Sequence, residues 1–70
     1  MISHEEAMSL WYRAAEAEIG IAIPTDDLVY LSQMLYNARR IEGNLELNNL
    51  SIIKAKEEIW ICKIDSLRQL

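Results

Sequence analysis

A strict alternation of apolar and small residues marks residues 19–24. Isoleucine occupies positions 19, 21 and 23, and the positions between and after them hold Gly20, Ala22 and Pro24. A period of two built on β-branched residues predicts a half-buried strand. Pro24 has no N–H to donate to a sheet, so we expect the strand to end there.

A helical pattern follows this strand. Asp26 and Asp27 can cap a helix at the positive end of its dipole. Apolar residues then recur at spacings of three and four, at Leu28, Leu31, Leu35 and Ala38. Gly43 can supply a left-handed C-terminal cap. The pattern predicts a helix from about Asp26 to about Glu42, with these apolar positions on its inner face.

Two β-branched clusters lie at residues 51–53 and 59–61, with charged residues between them. This arrangement predicts a hairpin over residues 50–64. The connection has no Gly, Asn or Asp at its centre, so its turn type is not predicted. A single helix through Ile53, Trp60, Ile64 and Leu67 is the alternative.

The N-terminal segment fits two structures. Ser3 and Glu6 form a capping box, and helical spacing follows at Ala7, Leu10, Trp11 and Ala14. The pattern alone therefore favours a helix. The alternative is a strand over residues 10–14, paired with the Ile19 strand through a turn near Glu16. Residues 1–9 contain little apolar material, and we expect a flexible tail there.

A resemblance bears on this choice. Five short clusters at residues 10–14, 19–21, 35–40, 50–52 and 59–61 read LWYRA, IGI, LYNARR, LSI and IWI. Together these clusters, which span residues 10–64, resemble small uncharacterised proteins of tailed bacteriophages. The resemblance implies extended segments on both sides of the central helix. It therefore favours the strand at residues 10–14.

The predicted fold class is α+β, with one helix packed on a four-stranded sheet in the order ββαββ. The strand order stays open, and the alternative has an N-terminal helix in place of the first strand. We expect a tail at residues 1–9 and a single domain at residues 10–70.

Composition limits the ways in which such a small chain can be stabilised. The 70 residues include one cysteine, Cys62, and one histidine, His4. An intramolecular disulfide and a structural zinc site of four Cys and His ligands are therefore both excluded. Small domains without these devices often gain stability from self-association, so we expect a homodimer.

The charge and the apolar pattern limit the partners further. The net charge of −4 opposes a nucleic-acid backbone at long range, so a nucleic-acid partner is less favoured than a protein partner. No apolar run approaches the roughly 20 residues that cross a bilayer, so we expect no membrane partner. We expect a cytoplasmic protein, in the host cell if a phage encodes it.

No residue pattern indicates a catalytic, cofactor or metal site. Cys62 is predicted to pack as a small apolar residue. The candidate site residues are instead candidates for an interface, namely Trp11, Arg13, Trp60, Arg39 and Arg40. On the hairpin interpretation Trp60 points away from Ile59 and Ile61. If those isoleucines face the helix, Trp60 lies on the opposite face, and Trp11 is expected beside it.

These observations predict a small non-enzymatic interaction protein. Within the phage resemblance, it is expected to be an accessory factor that binds and modulates a host protein. The alternative is a single-stranded nucleic-acid binder, with bases stacked on an aromatic sheet face. Trp11, Tyr12 and Trp60 would form that face, and Arg13, Lys54 and Lys63 would neutralise phosphates.

Overall fold

The computed structural model describes residues 2–64. Its elements are helix α1 (His4–Glu16), strand β1 (Gly20–Pro24), helix α2 (Leu28–Glu42), a short 3₁₀ helix (Leu45–Asn49), strand β2 (Leu50–Ala55) and strand β3 (Glu58–Lys63). The predicted α+β class is confirmed. The expected end of the domain at residue 70 lies outside the described residues.

The three strands form one antiparallel sheet in the order β1-β3-β2. The central strand β3 places Ile61 between Ile21 of β1 and Ile52 of β2. The predicted β1 strand and the predicted hairpin are both confirmed. The alternative helix through Ile53 and Trp60 is wrong, although its last position, Leu67, lies outside the described residues.

The predicted first strand at residues 10–14 is wrong, because that segment belongs to α1. Ser3 caps this helix, and its side-chain oxygen accepts a hydrogen bond from the Glu6 N–H at 3.1 Å. The described chain therefore has two helices and three strands, as in the alternative with an N-terminal helix. Residues 4–9 are helical rather than a tail, and Ala7 and Met8 are buried in the core.

The core lies between the two helices and one face of the sheet. Helix α2 contributes the predicted inner face, with Leu31, Leu35 and Ala38 buried and Leu28 partly buried. Strand β3 contributes Ile59 and Ile61, which are fully buried. These residues belong to one cluster together with buried side chains of α1, so both helices pack on the same side of the sheet.

Both ends of α2 have the predicted caps. The Asp27 Oδ1 accepts a hydrogen bond from the Tyr30 N–H at 3.0 Å. At the other end Gly43 is left-handed, with φ 72°, and its N–H donates to the Arg39 carbonyl at 3.0 Å. Left-handed backbone favours glycine, and this explains why the helix ends there.

The turn between β2 and β3 consists of Lys56 and Glu57. Glu57 is the only residue other than glycine with a positive φ in the described chain, at 62°. This conformation places the β-carbon of an L-residue close to the following carbonyl. The turn therefore holds a glutamate where a glycine is preferred, which is why the sequence carried no turn signal.

Replacing Glu57 by glycine is expected to raise the free energy of unfolding by about 0.5–1 kcal/mol, because relief of the left-handed strain exceeds the added chain entropy. Urea unfolding monitored by circular dichroism measures the change. Lys56→Gly is the matched control, since Lys56 does not have a positive φ. That variant should lose stability, and a gain in both variants would contradict this explanation.

Candidate protein-interaction face

The sheet has a second face that points away from both helices, here called the outer sheet face. Side chains alternate along a strand, so the neighbours of the buried Ile59 and Ile61 lie on this face. The register then fixes its members, which are Gly20, Ala22, Pro24, Ser51, Ile53, Ala55, Glu58, Trp60 and Cys62. The predicted orientation of Trp60, opposite to Ile59 and Ile61, is confirmed.

The centre of the outer sheet face is apolar. Trp60 is half-buried and lies between Ala22 and Ile53 in the register, and the Ile53 side chain is 38% exposed. Glu58 is the one residue of the outer sheet face with a charged side chain. Its Oε1 accepts a hydrogen bond from the Trp60 Nε1–H at 3.0 Å. This bond satisfies the polar edge of the indole and fixes its position.

Cys62 lies on the outer sheet face but is buried there. It pairs with Gly20 on one side and Ser51 on the other. Burial raises the pKa of the Cys62 thiol. At neutral pH the thiol therefore stays protonated and is a weak nucleophile, which agrees with a packing role.

Trp11 lies in the core and not beside Trp60, so its predicted position on the sheet is wrong. The side chain is fully buried in α1, and its Nε1–H donates to the Leu35 carbonyl of α2 at 2.8 Å. The expectation failed because Trp11 lies on the helical stripe of Ala7 and Ala14, which faces α2 and the sheet.

Arg39 holds several elements together around Trp11. Its guanidinium lies 4.7 Å from the centre of the Trp11 ring and 5.0 Å from that of Tyr36. Its Nη1 donates to the carbonyls of Leu47 at 3.1 Å and Leu50 at 2.9 Å. These contacts join α2 to the 3₁₀ helix and to β2. The Nη1 donors and one face of the Arg39 guanidinium are therefore used inside the fold.

Arg40 is exposed and lines a groove of about 430 Å³ between α2 and the 3₁₀ helix. Its Nη2 donates to Asn37 Oδ1 at 2.9 Å. Arg13 is exposed in the last turn of α1. Of the five candidate residues, the structure brings together only Arg39 and Trp11, inside the fold, and only Trp60 lies on the outer sheet face.

The aromatic platform of the nucleic-acid alternative is not assembled. Trp11 is buried, and Tyr12 belongs to α1 rather than to the sheet. Lys54 and Lys63 occupy register positions opposite Ile59 and Leu50, on the helix side of the sheet. Trp60 therefore has neither a second aromatic residue nor a lysine beside it among the sheet residues that share its face.

Within residues 2–64, no three His, Cys, Asp or Glu side chains are grouped so that they could hold a metal ion. No helix in this part of the chain is long and apolar enough to cross a membrane. Comparisons with protein-family models, curated proteins and solved structures found no match to this chain.

Proposed function

We propose that this chain is a small non-enzymatic interaction protein that binds a partner protein through its outer sheet face. The observation that carries this proposal is an almost uncharged sheet face, centred on Trp60, on the side away from both helices. Contiguous apolar patches exposed on soluble domains, especially with polar residues at their rim, mark interaction sites.

The composition of the outer sheet face suits protein recognition. Tryptophan is enriched among the residues that dominate binding energy at protein interfaces. The cross-strand neighbour Ala22 is small, and Ile53 adds further apolar area. Glu58 supplies a polar group at the indole edge. The partner is therefore expected to present an apolar surface with a hydrogen-bond donor at its margin.

The resemblance to small phage proteins gives this proposal a biological context. In that context the chain is an accessory factor that binds and modulates a host protein in the bacterial cytoplasm. Modulation by binding requires no catalytic group on this chain, which agrees with the weakly nucleophilic Cys62. The partner then occupies the outer sheet face and leaves the helix layer free.

A lysate pulldown with matched variants tests the proposal. Trp60→Glu places a charge at the centre of the outer sheet face, and its desolvation should remove the partner from the bait. Val29→Glu adds the same charge at an exposed position of α2, and this bait should still recover the partner. Any protein recovered is then purified, and its affinity is measured for the wild type and for both variants.

We expect Trp60→Glu to weaken that affinity at least tenfold, while Val29→Glu changes it less than threefold. Circular dichroism checks that each bait is folded. If Trp60→Glu does not fold, Ile53→Glu serves in its place, because Ile53 is more exposed than the core residues. Equal binding by the outer-face variant and the wild type contradicts the proposal.

A further inference from the structure

The two edges of the sheet differ in how their backbone groups are used. On the β2 edge, the Ile52 N–H donates to Tyr36 Oη at 3.4 Å, and the Leu50 carbonyl accepts from Arg39 at 2.9 Å. Along an edge strand, the backbone N–H and C=O groups of one residue bond to the neighbouring strand, and those of the next residue point away from the sheet. The backbone groups of Leu50 and Ile52 therefore point outward, and side chains of α2 form hydrogen bonds with them. Side chains of α2 therefore cover part of this edge.

The β1 edge has no such cover among the described residues. The Thr25 N–H donates to the Glu57 carbonyl at 3.0 Å, one position beyond the Pro24–Glu58 pair, so the backbone of Thr25 points inward towards β3. Because inward and outward residues alternate along the strand, the backbone groups of Gly20, Ala22 and Pro24 point outward. Pro24 fits that position because it has no N–H. Within residues 2–64, no hydrogen bond reaches the outward groups of Gly20 and Ala22.

The sequence of this open edge is almost symmetric about Ile21. Residues 19–23 read Ile-Gly-Ile-Ala-Ile and contain no charge. In an antiparallel pair of identical strands across a twofold axis, each residue faces the residue at its mirror position in the other copy, and this sequence places side chains of similar size and polarity opposite each other. When Ile21 of one copy lies opposite Ile21 of the other, Gly20 of each copy lies opposite Ala22 of the other. Ile19, which is 68% exposed, directly precedes β1.

We propose that two copies of this chain pair antiparallel through β1, with Ile21 of each copy on the twofold axis. Gly20 and Ala22 of each copy exchange backbone hydrogen bonds with Ala22 and Gly20 of the other. The result is a continuous six-stranded sheet. Both helix layers lie on one side of it and both outer sheet faces on the other, because the local twofold of an antiparallel pair is perpendicular to the sheet.

This pairing is independent of the proposed function, since it uses the strand edge and leaves Trp60 accessible. It also extends the outer sheet face across two copies, so that a partner with two equivalent sites gains avidity. The contact involves one short strand from each copy and is smaller than a typical stable interface. The dimer is therefore expected to dissociate on dilution.

Disulfide trapping tests the register directly. Ile21 lies in a pair without hydrogen bonds across the twofold, where opposed Cα atoms are about 4.5 Å apart, close enough for a disulfide. In a Cys62→Ser background, Ile21→Cys should oxidise to a covalent dimer. Ile52→Cys is the matched control, because Ile21 and Ile52 both pair with Ile61 but on opposite edges. It should remain monomeric under the same conditions.

Sedimentation without a cross-link provides the second measurement. Over about 10 μM to 1 mM, the wild type should show a monomer–dimer equilibrium. Ala22→Pro removes an outward N–H, and Ile19→Glu places a charge beside the start of β1; each should raise the dissociation constant at least tenfold. Trp60→Glu should leave this constant within threefold of the wild-type value.

Two results overturn the pairing. One is a wild type that stays monomeric over the whole range while Ile21→Cys and Ile52→Cys cross-link equally. The other is a dimer that Trp60→Glu dissociates and Ala22→Pro leaves intact, because that dimer uses the outer sheet face. Neither result depends on whether the lysate yields a partner, so failure of this pairing is distinguishable from failure of the proposed function.

Discussion

Replacing Trp11 by alanine is expected to lower the free energy of unfolding by about 3–5 kcal/mol. Trp11 is fully buried, so its loss leaves a large cavity between α1, α2 and the sheet. The Leu35 carbonyl also loses the indole donor, and the Arg39 guanidinium loses one of the two rings it lies against. Urea unfolding followed by circular dichroism measures the change.

Two variants make this measurement specific. Trp11→Phe keeps most of the apolar volume but removes the hydrogen bond, so it should cost about 1–2 kcal/mol and remain measurable if the alanine variant does not fold. Trp60→Ala is the control for loss of a tryptophan from the outer sheet face, and it should cost less than Trp11→Ala. Equal losses for the two alanine variants would show that Trp11 is not the main core anchor.

The α1 segment shows why a local pattern can outweigh a resemblance. Ser3 and Glu6 predicted a capped start, and the spacing of Ala7, Trp11 and Ala14 predicted one buried stripe. Both features are present in α1. The strand interpretation required Leu10, Tyr12 and Ala14 on one side and would have left Trp11 outside. Burial of the largest apolar side chain favours the helix on energetic grounds as well.

The position of Trp60 was predictable because it depends only on the alternation of side chains along a strand. The role of Arg39 was not predictable. Its partners Leu47 and Leu50 lie in the 3₁₀ helix and at the start of β2, and their positions relative to α2 depend on tertiary packing. The same applies to the open β1 edge, since the sequence left the strand order open. Local periodicity thus determined orientations, and only the fold determined which groups meet.

Gly20 is the other position where a small change should have a large effect. Its φ of +145° is a backbone conformation that L-residues rarely adopt. A β-carbon there would overlap the Ile61 carbonyl oxygen of the central strand and lie 3.2 Å from Cys62 Sγ. The backbone of β3 cannot move away without disturbing both of its ladders. Gly20→Ala is therefore expected to lower the free energy of unfolding by about 3 kcal/mol or more.

Gly43→Ala is the control for a glycine of positive φ whose β-carbon would meet no neighbour. Gly43 is also left-handed, at φ 72°, but a β-carbon there meets no atom within 4 Å. This variant should therefore cost only about 1 kcal/mol, the usual strain of an alanine at a helix C-cap. Thermal unfolding of both variants under identical conditions measures the difference. Similar losses would mean that backbone strain alone explains the glycine at position 20. A clearly larger loss for Gly20→Ala would support the close approach of β1 to β3, which sets the register of the open edge.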